Sequence, residues 1–361
     1  MREKPRGPLR RGWTTGACAA AASKAAYAAL LTGTFPDPVE IALPKGERPS
    51  FVLARHEHSG DCAIAAIIKD AGDDPDVTHH ALIVSQVRLL PAGSGLSFRA
   101  GEGVGVVTRP GLPLAVGEPA INPIPRQMIH LALGEVATEH GLAPDAEITI
   151  SVPGGAELAR HTWNPRLGIV GGISILGTTG VVHPYSCSAW IASIHRGIDV
   201  CRANGVTHAA ACTGSTSESA VRELYRLPDI AIIDMGDFAG GTLKYLKRHP
   251  ITRLTIAGGF AKLSKLAGGA MDLHSGRSEV DREQLASALG ELNAPAATIA
   301  AARQANTANE ILALAQQGDL ALGDLIARRA KQQALELLNG ETEIEAIIVD
   351  RQGRLAGRAP F

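Results

Sequence analysis

Thr207-His-Ala-Ala-Ala-Cys212 is a short apolar run that stops at the small-residue loop Thr213-Gly-Ser215, ahead of a helical stretch over 216–225. The run reads as a buried strand and the loop as the turn into a helix. The same rhythm continues on both sides, with helix at 186–204, strand at 230–234, helix at 239–248, strand at 252–257 and helix at 260–268. Strict alternation specifies a mostly parallel sheet with covering helices, because parallel neighbours need a crossover connection. Residues 281–338 read as mostly helical, and Ile344 to Val349 supplies a final strand.

The first half has a different pattern. Thr14-Thr15-Gly16 precedes an Ala-rich run to Leu31 that ends at Gly33, the signature of a capped helix with a glycine stop. Short β-branched or aliphatic runs follow at 39–43, 51–56, 62–68, 82–89 and 96–99, then a helix from about Pro125 to His140 and a strand at 147–152. The expected fold is therefore an α+β N-terminal unit followed by an α/β unit with a mostly parallel sheet and covering helices. Domains are expected at 1–165 and 166–361, the latter with a helical C-terminal extension and the boundary inside the Gly/Pro-rich segment 153–185.

Composition narrows the function. The 361 residues carry a formal net charge of -1, which disfavours a protein built to coat nucleic acid or an anionic membrane. With 45% hydrophobic but only 4% aromatic residues, Ala, Val, Ile and Leu must fill the core. The five cysteines are an odd number without a C-x-x-C pair, which fits a reducing cytosol and neither a disulfide framework nor structural zinc. A basic lead before Gly12 and the Ala-rich run imitate a secretory leader, but Lys24 interrupts the run and Ala is weakly hydrophobic. No apolar stretch is long enough to span a membrane.

Several loops could carry chemistry. The strand-end loops Thr213-Gly214-Ser215, Asp234 to Asp237 and Gly258-Gly259 lie where open parallel sheets bind ligands and where helix N-termini present unpaired N–H groups. Gly168-Ile-Val-Gly-Gly-Ile-Ser-Ile-Leu-Gly-Thr-Thr-Gly180 packs five glycines and three hydroxyls into 13 residues, a candidate nucleotide cradle or a domain hinge. Its Gly172 to Gly177 spacing is that of a P-loop, but Thr178 replaces the lysine, which disfavours a nucleoside triphosphatase. Gly101-x-Gly103-x-Gly105 runs into a β-like segment where the dinucleotide motif requires a helix, so it reads as a hairpin or bulge.

The segment Lys69-Asp-Ala-Gly-Asp-Asp-Pro-Asp76 crowds four carboxylates, with His79 and His80 beyond. Crowded carboxylates suit acid/base work or a cation, and a solvated turn is the alternative. Lys262 and Lys265 follow Gly258-Gly259 at i, i+3, where two ammonium groups would suit a substrate with several carboxylates. His274 comes one turn later and is a candidate base or a structural residue.

Taken together these segments resemble the CbiD family, the cobalt-precorrin-5B C1-methyltransferases. The blocks that carry the likeness are Gly12-Trp-Thr-Thr-Gly-Ala-Cys-Ala-Ala-Ala21, Lys69 to Thr78, Gly101 to Thr108 and Gly117-Glu-Pro-Ala-Ile-Asn-Pro123. They continue through Asn164 to Gly180, the helix Gly259 to Gly268 and His274-Ser275. The resemblance implies methyl transfer from S-adenosylmethionine to ring carbon C1 of a cobalt-bound contracted tetrapyrrole in cobalamin biosynthesis, giving cobalt-precorrin-6A. Cobalt would arrive inside the substrate, with no metal held by the protein.

Placed on these segments, the expected catalytic residues are Asp73, Asp74, Asp76 and His274. The acidic loop would hold the sulfonium or ribose, or take up a proton. Cofactor contacts are expected from Thr14, Thr15, Gly16, Gly171, Gly172, Ser174, Gly177, Thr178, Thr179, Gly214 and Asp237. Carboxylates of the tetrapyrrole would meet Arg109, Arg126, Arg166, Lys262 and Lys265. The partner is then a small tetrapyrrole in the cytoplasm, with no nucleic acid and no membrane, and homo-oligomerisation is left open. A non-catalytic tetrapyrrole carrier and a small-molecule kinase are the competing classes, separable by which of S-adenosylmethionine and ATP stabilises the protein.

Overall fold

The computed structural model describes residues 7–338, 340 and 342–361. Arg2, Lys4 and Arg6 of the basic lead lie outside the described residues. The chain is a mixed α/β protein with several sheets, partly parallel, and divides into two compact units, Met1–Cys187 and Ser188–Phe361.

The first unit runs β1 (Gly12–Trp13), α1 (Thr15–Thr32), β2 (Val39–Glu40), β3 (Ser50–Phe51), β4 (Arg55–Ser59), β5 (Cys62–Ile68), β6 (Leu82–Leu89) and β7 (Leu96–Ala100). It continues with β8 (Val106–Val107), α2 (Pro123–Glu139), β9 (Ala146–Ser151), α3 (Gly155–Ala159), β10 (Ile169–Val170) and β11 (Val181–Val182). Its main sheet has the order β4-β5-β6-β9-β7, antiparallel except for the β7–β9 pair.

The Ala-rich helix α1 is no leader-like appendage but the centre of this unit's core. Thr14 caps it by accepting from Ala17 N, Gly33 closes it in the left-handed conformation, and Ala17 to Ala22 have no exposed surface. Alanine's small side chain lets α1 lie close against β5, β6 and α2. The strand expected at 39–43 shortens to β2, and the one at 51–56 divides into β3 and β4. The unit division falls just after the segment 153–185, because β10 pairs with β8 and β11 with β1, holding residues 166–185 in the first unit.

The second unit comprises α4 (Cys187–Ala203), β12 (His208–Cys212), α5 (Ser215–Tyr225), a 3-10 turn at Asp229–Ala231, β13 (Ile232–Asp234), α6 (Ala239–Leu246), β14 (Arg253–Gly259) and α7 (Phe260–Ala267). Helices α8 (Arg282–Glu291), α9 (Ala296–Gln304), α10 (Ala308–Gln317) and α11 (Leu322–Leu338) lead to β15 (Glu343–Val349) and β16 (Leu355–Ala359). The sheet order is β13-β12-β14-β15-β16, with parallel pairing through β15 and an antiparallel edge strand β16. The chain steps from β12 to β13 on one side and returns to β14 on the other. The two β-α turns that flank this reversal, after β12 and after β14, stand where open parallel sheets bind ligands.

Candidate functional site

The glycine-rich loop of the first unit packs on the start of α1. Gly16 N donates to Leu176 O at 3.0 Å, and the Thr15 hydroxyl accepts from Leu176 N at 2.9 Å. The Thr14 side chain occupies the space that a Cβ on Gly177 would need. Thr14, Thr15 and Gly16 thus spend these groups on the loop. Ser174 is buried and donates to Asn164 Oδ1 at 3.2 Å, while Asn164 Nδ2 donates to Gly172 O at 3.1 Å. Gly172 crosses Gly103 so closely that a Cβ would fall 2.0 Å from the Gly103 carbonyl oxygen. This crossing explains Gly101-x-Gly103-x-Gly105 as a packing device. Gly171 and Thr178 are exposed on the loop's outer side, and the Thr179 hydroxyl accepts from Val181 N at 3.2 Å.

The acidic loop is tied to the segment before β1. Arg10 forms a two-pronged ion pair with Asp70, and Asp73 Oδ2 accepts from Arg10 N at 2.6 Å. The bonded Arg10 guanidinium holds Asp70 down at about 2. Asp76 receives Lys69 Nζ at 2.6 Å, and Lys69 is only 1% exposed. Burial works against ionisation of Asp76, but the Lys69 charge and two bonds from Thr78 outweigh it and lower its pKa. Asp74 is the contrasting member: burial, and after it the neighbouring Asp76 charge, raises its pKa against a 2.8 Å bond from Tyr185 N. Of the three aspartates expected to be catalytic, Asp73 and Asp76 hold the loop together and Asp74 has the environment of an acid/base group.

Two of the expected cations are internal braces. Arg126 donates to Ile121 O at 2.8 Å, pairs with Glu118 at 2.7 Å and lies over the Phe98 ring, so it fastens the turn before α2. Lys265 is 8% exposed and donates to Leu273 O at 3.0 Å, because its place on α7 faces the following loop. Arg109 is exposed with its stem over Gly168, and Arg166 is half-buried. His274 is exposed and its Nδ1 accepts from Gly276 N at 3.0 Å, a local turn bond.

In the second unit the strand-end loops meet at Lys262. Its ammonium donates to Thr213 O at 3.0 Å and lies 3.0 Å from Asp237 Oδ1. That oxygen is buried, and Lys262 is its charge partner. Gly214 and Gly259 start α5 and α7 without a side-chain cap, and a Cβ on either would meet open space. Two uncapped helix starts and the Lys262–Asp237 ion pair form a polar cradle at the reversal of strand order. Thr213 and Gly259 lie in strand-end loops that the small-residue pattern already marked as candidate ligand loops, whereas Lys69 was not an expected site residue and nothing local distinguishes it from a solvated lysine. Among the described residues no group of three or more His, Cys, Asp and Glu could hold a metal ion, and no helix is long and apolar enough to cross a membrane.

Comparison with known proteins covers both units. The CbiD family model matches residues 2–184, and that of the CbiD C-terminal domain matches 272–360. A protein of Paramagnetospirillum magneticum named cobalt-precorrin-5B C(1)-methyltransferase is 63% identical over 352 residues, which is 97% of this chain and 98% of the relative. One of the same name from Brucella anthropi is 61% identical, over 97% of this chain and 95% of that one. The crystal structure of a cobalamin biosynthesis protein (cbiD) from Archaeoglobus fulgidus is 28% identical, covers 71% of this chain and 78% of that chain, and has a TM-score of 0.39. With a family model over half of the chain and relatives above 60% identical along nearly all of it, the chain belongs to the CbiD family.

Proposed function

We propose that the chain transfers a methyl group from S-adenosylmethionine to C1 of cobalt-precorrin-5B, giving cobalt-precorrin-6A in cobalamin biosynthesis. The observation that carries this reading is identity of 63% and 61%, over 97% of the chain, to methyltransferases of that name. Cobalt belongs to the substrate.

The cradle of the second unit fits the methyl donor. The open Cβ sides of Gly214 and Gly259 give room for close approach, and the Asp237 carboxylate, ion-paired with Lys262 at 3.0 Å, would also accept from a ribose hydroxyl. N–H groups at the starts of α5 and α7, with Lys262, would hold a carboxylate. Bound there, S-adenosylmethionine supplies an electrophilic methyl on a sulfonium, so transfer needs positioning and a placed electrostatic environment with no covalent protein intermediate.

Arg109 and Arg166 are assigned to the tetrapyrrole's acetate and propionate groups. Asp74 is assigned to proton transfer, since its burial favours the neutral acid and lets it exchange a proton nearer neutrality than Asp70. The test is transfer of isotope-labelled methyl from S-adenosylmethionine to cobalt-precorrin-5B generated in place, followed by mass analysis. A gain of one methyl at C1 is expected. Tetrapyrrole bound without transfer would instead support a carrier, and stabilisation by ATP alone would support a kinase.

A further inference from the structure

We infer that Trp190, in the first turn of α4, is the adenine-binding wall of the cradle in the second unit, with the purine of the methyl donor stacked on its indole. This role rests on the reading of that cradle as the S-adenosylmethionine site, and adds the residue that recognises the base.

The loop Asp234 to Phe238, which leaves β13, is held by two sets of contacts. Met235 N and Gly236 N donate to Cys212 O at 2.9 and 3.3 Å, which ties the loop to the end of β12, and Lys262 pairs with Asp237 at 3.0 Å. Trp190 supplies the second set. Its Nε1 donates to Asp234 O at 3.2 Å, its Cζ2 and Nε1 lie 3.5 Å from where a Cβ on Gly236 would sit, and the Phe238 ring is 6.3 Å away between centroids. The indole thus meets the chain on both sides of Asp237 in sequence, and these contacts fix the ring in one orientation.

Trp190 is nevertheless 44% exposed. The other large hydrophobic side chains exposed among the described residues of this unit are Leu224, Leu355 and Phe361. The two leucines are aliphatic, and Phe361 packs against His208 and Arg253, which begin β12 and β14 at the opposite end of the sheet. Trp190 is therefore the exposed aromatic at the end of the sheet where the cradle lies. In S-adenosylmethionine the ribose joins the methionyl chain to the adenine. With the carboxylate at Lys262 and a ribose hydroxyl at Asp237, the purine is the part that glycines, N–H groups and an ion pair leave without an apolar face. It lies one glycosidic bond from the ribose, and the aromatic surface attached to the Asp237 loop is the indole, which suits stacking of a base.

The test is titration of the full chain with S-adenosylmethionine and, separately, with adenosine, followed by calorimetry and by tryptophan fluorescence. Of the three tryptophans, Trp13 and Trp163 belong to the first unit. Both ligands should quench the emission of the wild-type chain, and the quench should be absent in Trp190→Phe. Trp190→Phe and Trp190→Leu both lose the bond to Asp234 O, so they share any cost of loosening the loop, and only phenylalanine keeps a π face. Affinity for S-adenosylmethionine is expected to be about tenfold lower in Trp190→Leu than in Trp190→Phe. Quenching that persists in Trp190→Phe, or equal affinity in the two variants, overturns the proposal; if binding still requires Lys262, the cradle stands and the adenine lies elsewhere in it. Binding that ignores both Trp190→Leu and Lys262→Met overturns the cradle reading as well, and so does the absence of binding.

Discussion

Lys262 Nζ lies 3.0 Å from Asp237 Oδ1 and 3.0 Å from Thr213 O, so one side chain of α7 fastens the loops that follow β13 and β12. Lys265, three residues later, is 8% exposed and fastens Leu273 O instead. The two substitutions should therefore fail differently. Lys262→Met is expected to weaken S-adenosylmethionine binding tenfold or more, and to lower the melting temperature because Asp237 loses its charge partner. Lys265→Met should leave a buried carbonyl without its charged donor, costing about 1–3 kcal/mol in denaturant unfolding. Isothermal titration and urea melts on the two variants check the split.

Glycine substitutions separate packing from ligand approach. At Gly172 an added Cβ would sit 2.0 Å from the Gly103 oxygen, so Gly172→Ala should destabilise by about 1–3 kcal/mol or more. Gly214 has extended backbone and open space on its Cβ side. Gly214→Ala should melt like wild type yet lose cofactor affinity, and unchanged affinity would remove Gly214 from the cradle.

Breaking the Lys69–Asp76 pair should be costly, since the ammonium is 1% exposed and its partner would remain as an uncompensated half-buried charge. Lys69→Met is expected to lose about 3–5 kcal/mol. Lys69→Met with Asp76→Asn should recover part of that loss, and chemical denaturation of the single and double variants measures the recovery.

Asp74 should matter for turnover more than for folding. Asp74→Asn keeps an acceptor for Tyr185 N but cannot exchange a proton, so a fall in kcat of about 100-fold or more is expected at nearly unchanged stability. Asp73→Asn, which alters the bond to Arg10 N, should act mainly on stability. Wild-type turnover in Asp74→Asn would take the loop out of the proton chemistry.

Acid sensitivity should report Asp70. Its pKa falls from an ordinary 3.8 to about 2 on folding, through its bonds to Arg10. A depressed carboxylate stabilises the fold above its unfolded pKa, and that contribution drains away as pH drops from about 4 toward 2. Arg10→Ala should flatten the pH dependence of the melting temperature in that window while leaving its shape near neutrality unchanged.

Local pattern made much of the fold legible. The apolar run 62–68 and the alternating run 82–89 are β5 and β6 as read, and each helix of the 186–268 alternation appears within a few residues of its expected span. The strand at 230–234 was overcalled, because Pro228 leads into a 3-10 turn at Asp229–Ala231 before the three residues of β13. β16 was missed. Leu355-Ala-Gly-Arg-Ala359 has neither alternation nor β-branched residues, and becomes a strand only because β15 offers it an edge.

By itself, the sequence determined the periodicities, the caps of α1 and the glycine-marked strand ends, since these depend on residues within one or two turns of each other. Only the tertiary structure decided which charges are available to a ligand. Lys262 and Lys265 look alike in sequence, as do Asp74 and Asp76. What separates them is burial and the position of a partner on another element, such as Thr213 for Lys262. Neutralisation of a charge is a property of space around it, and periodicity along the chain does not encode that space.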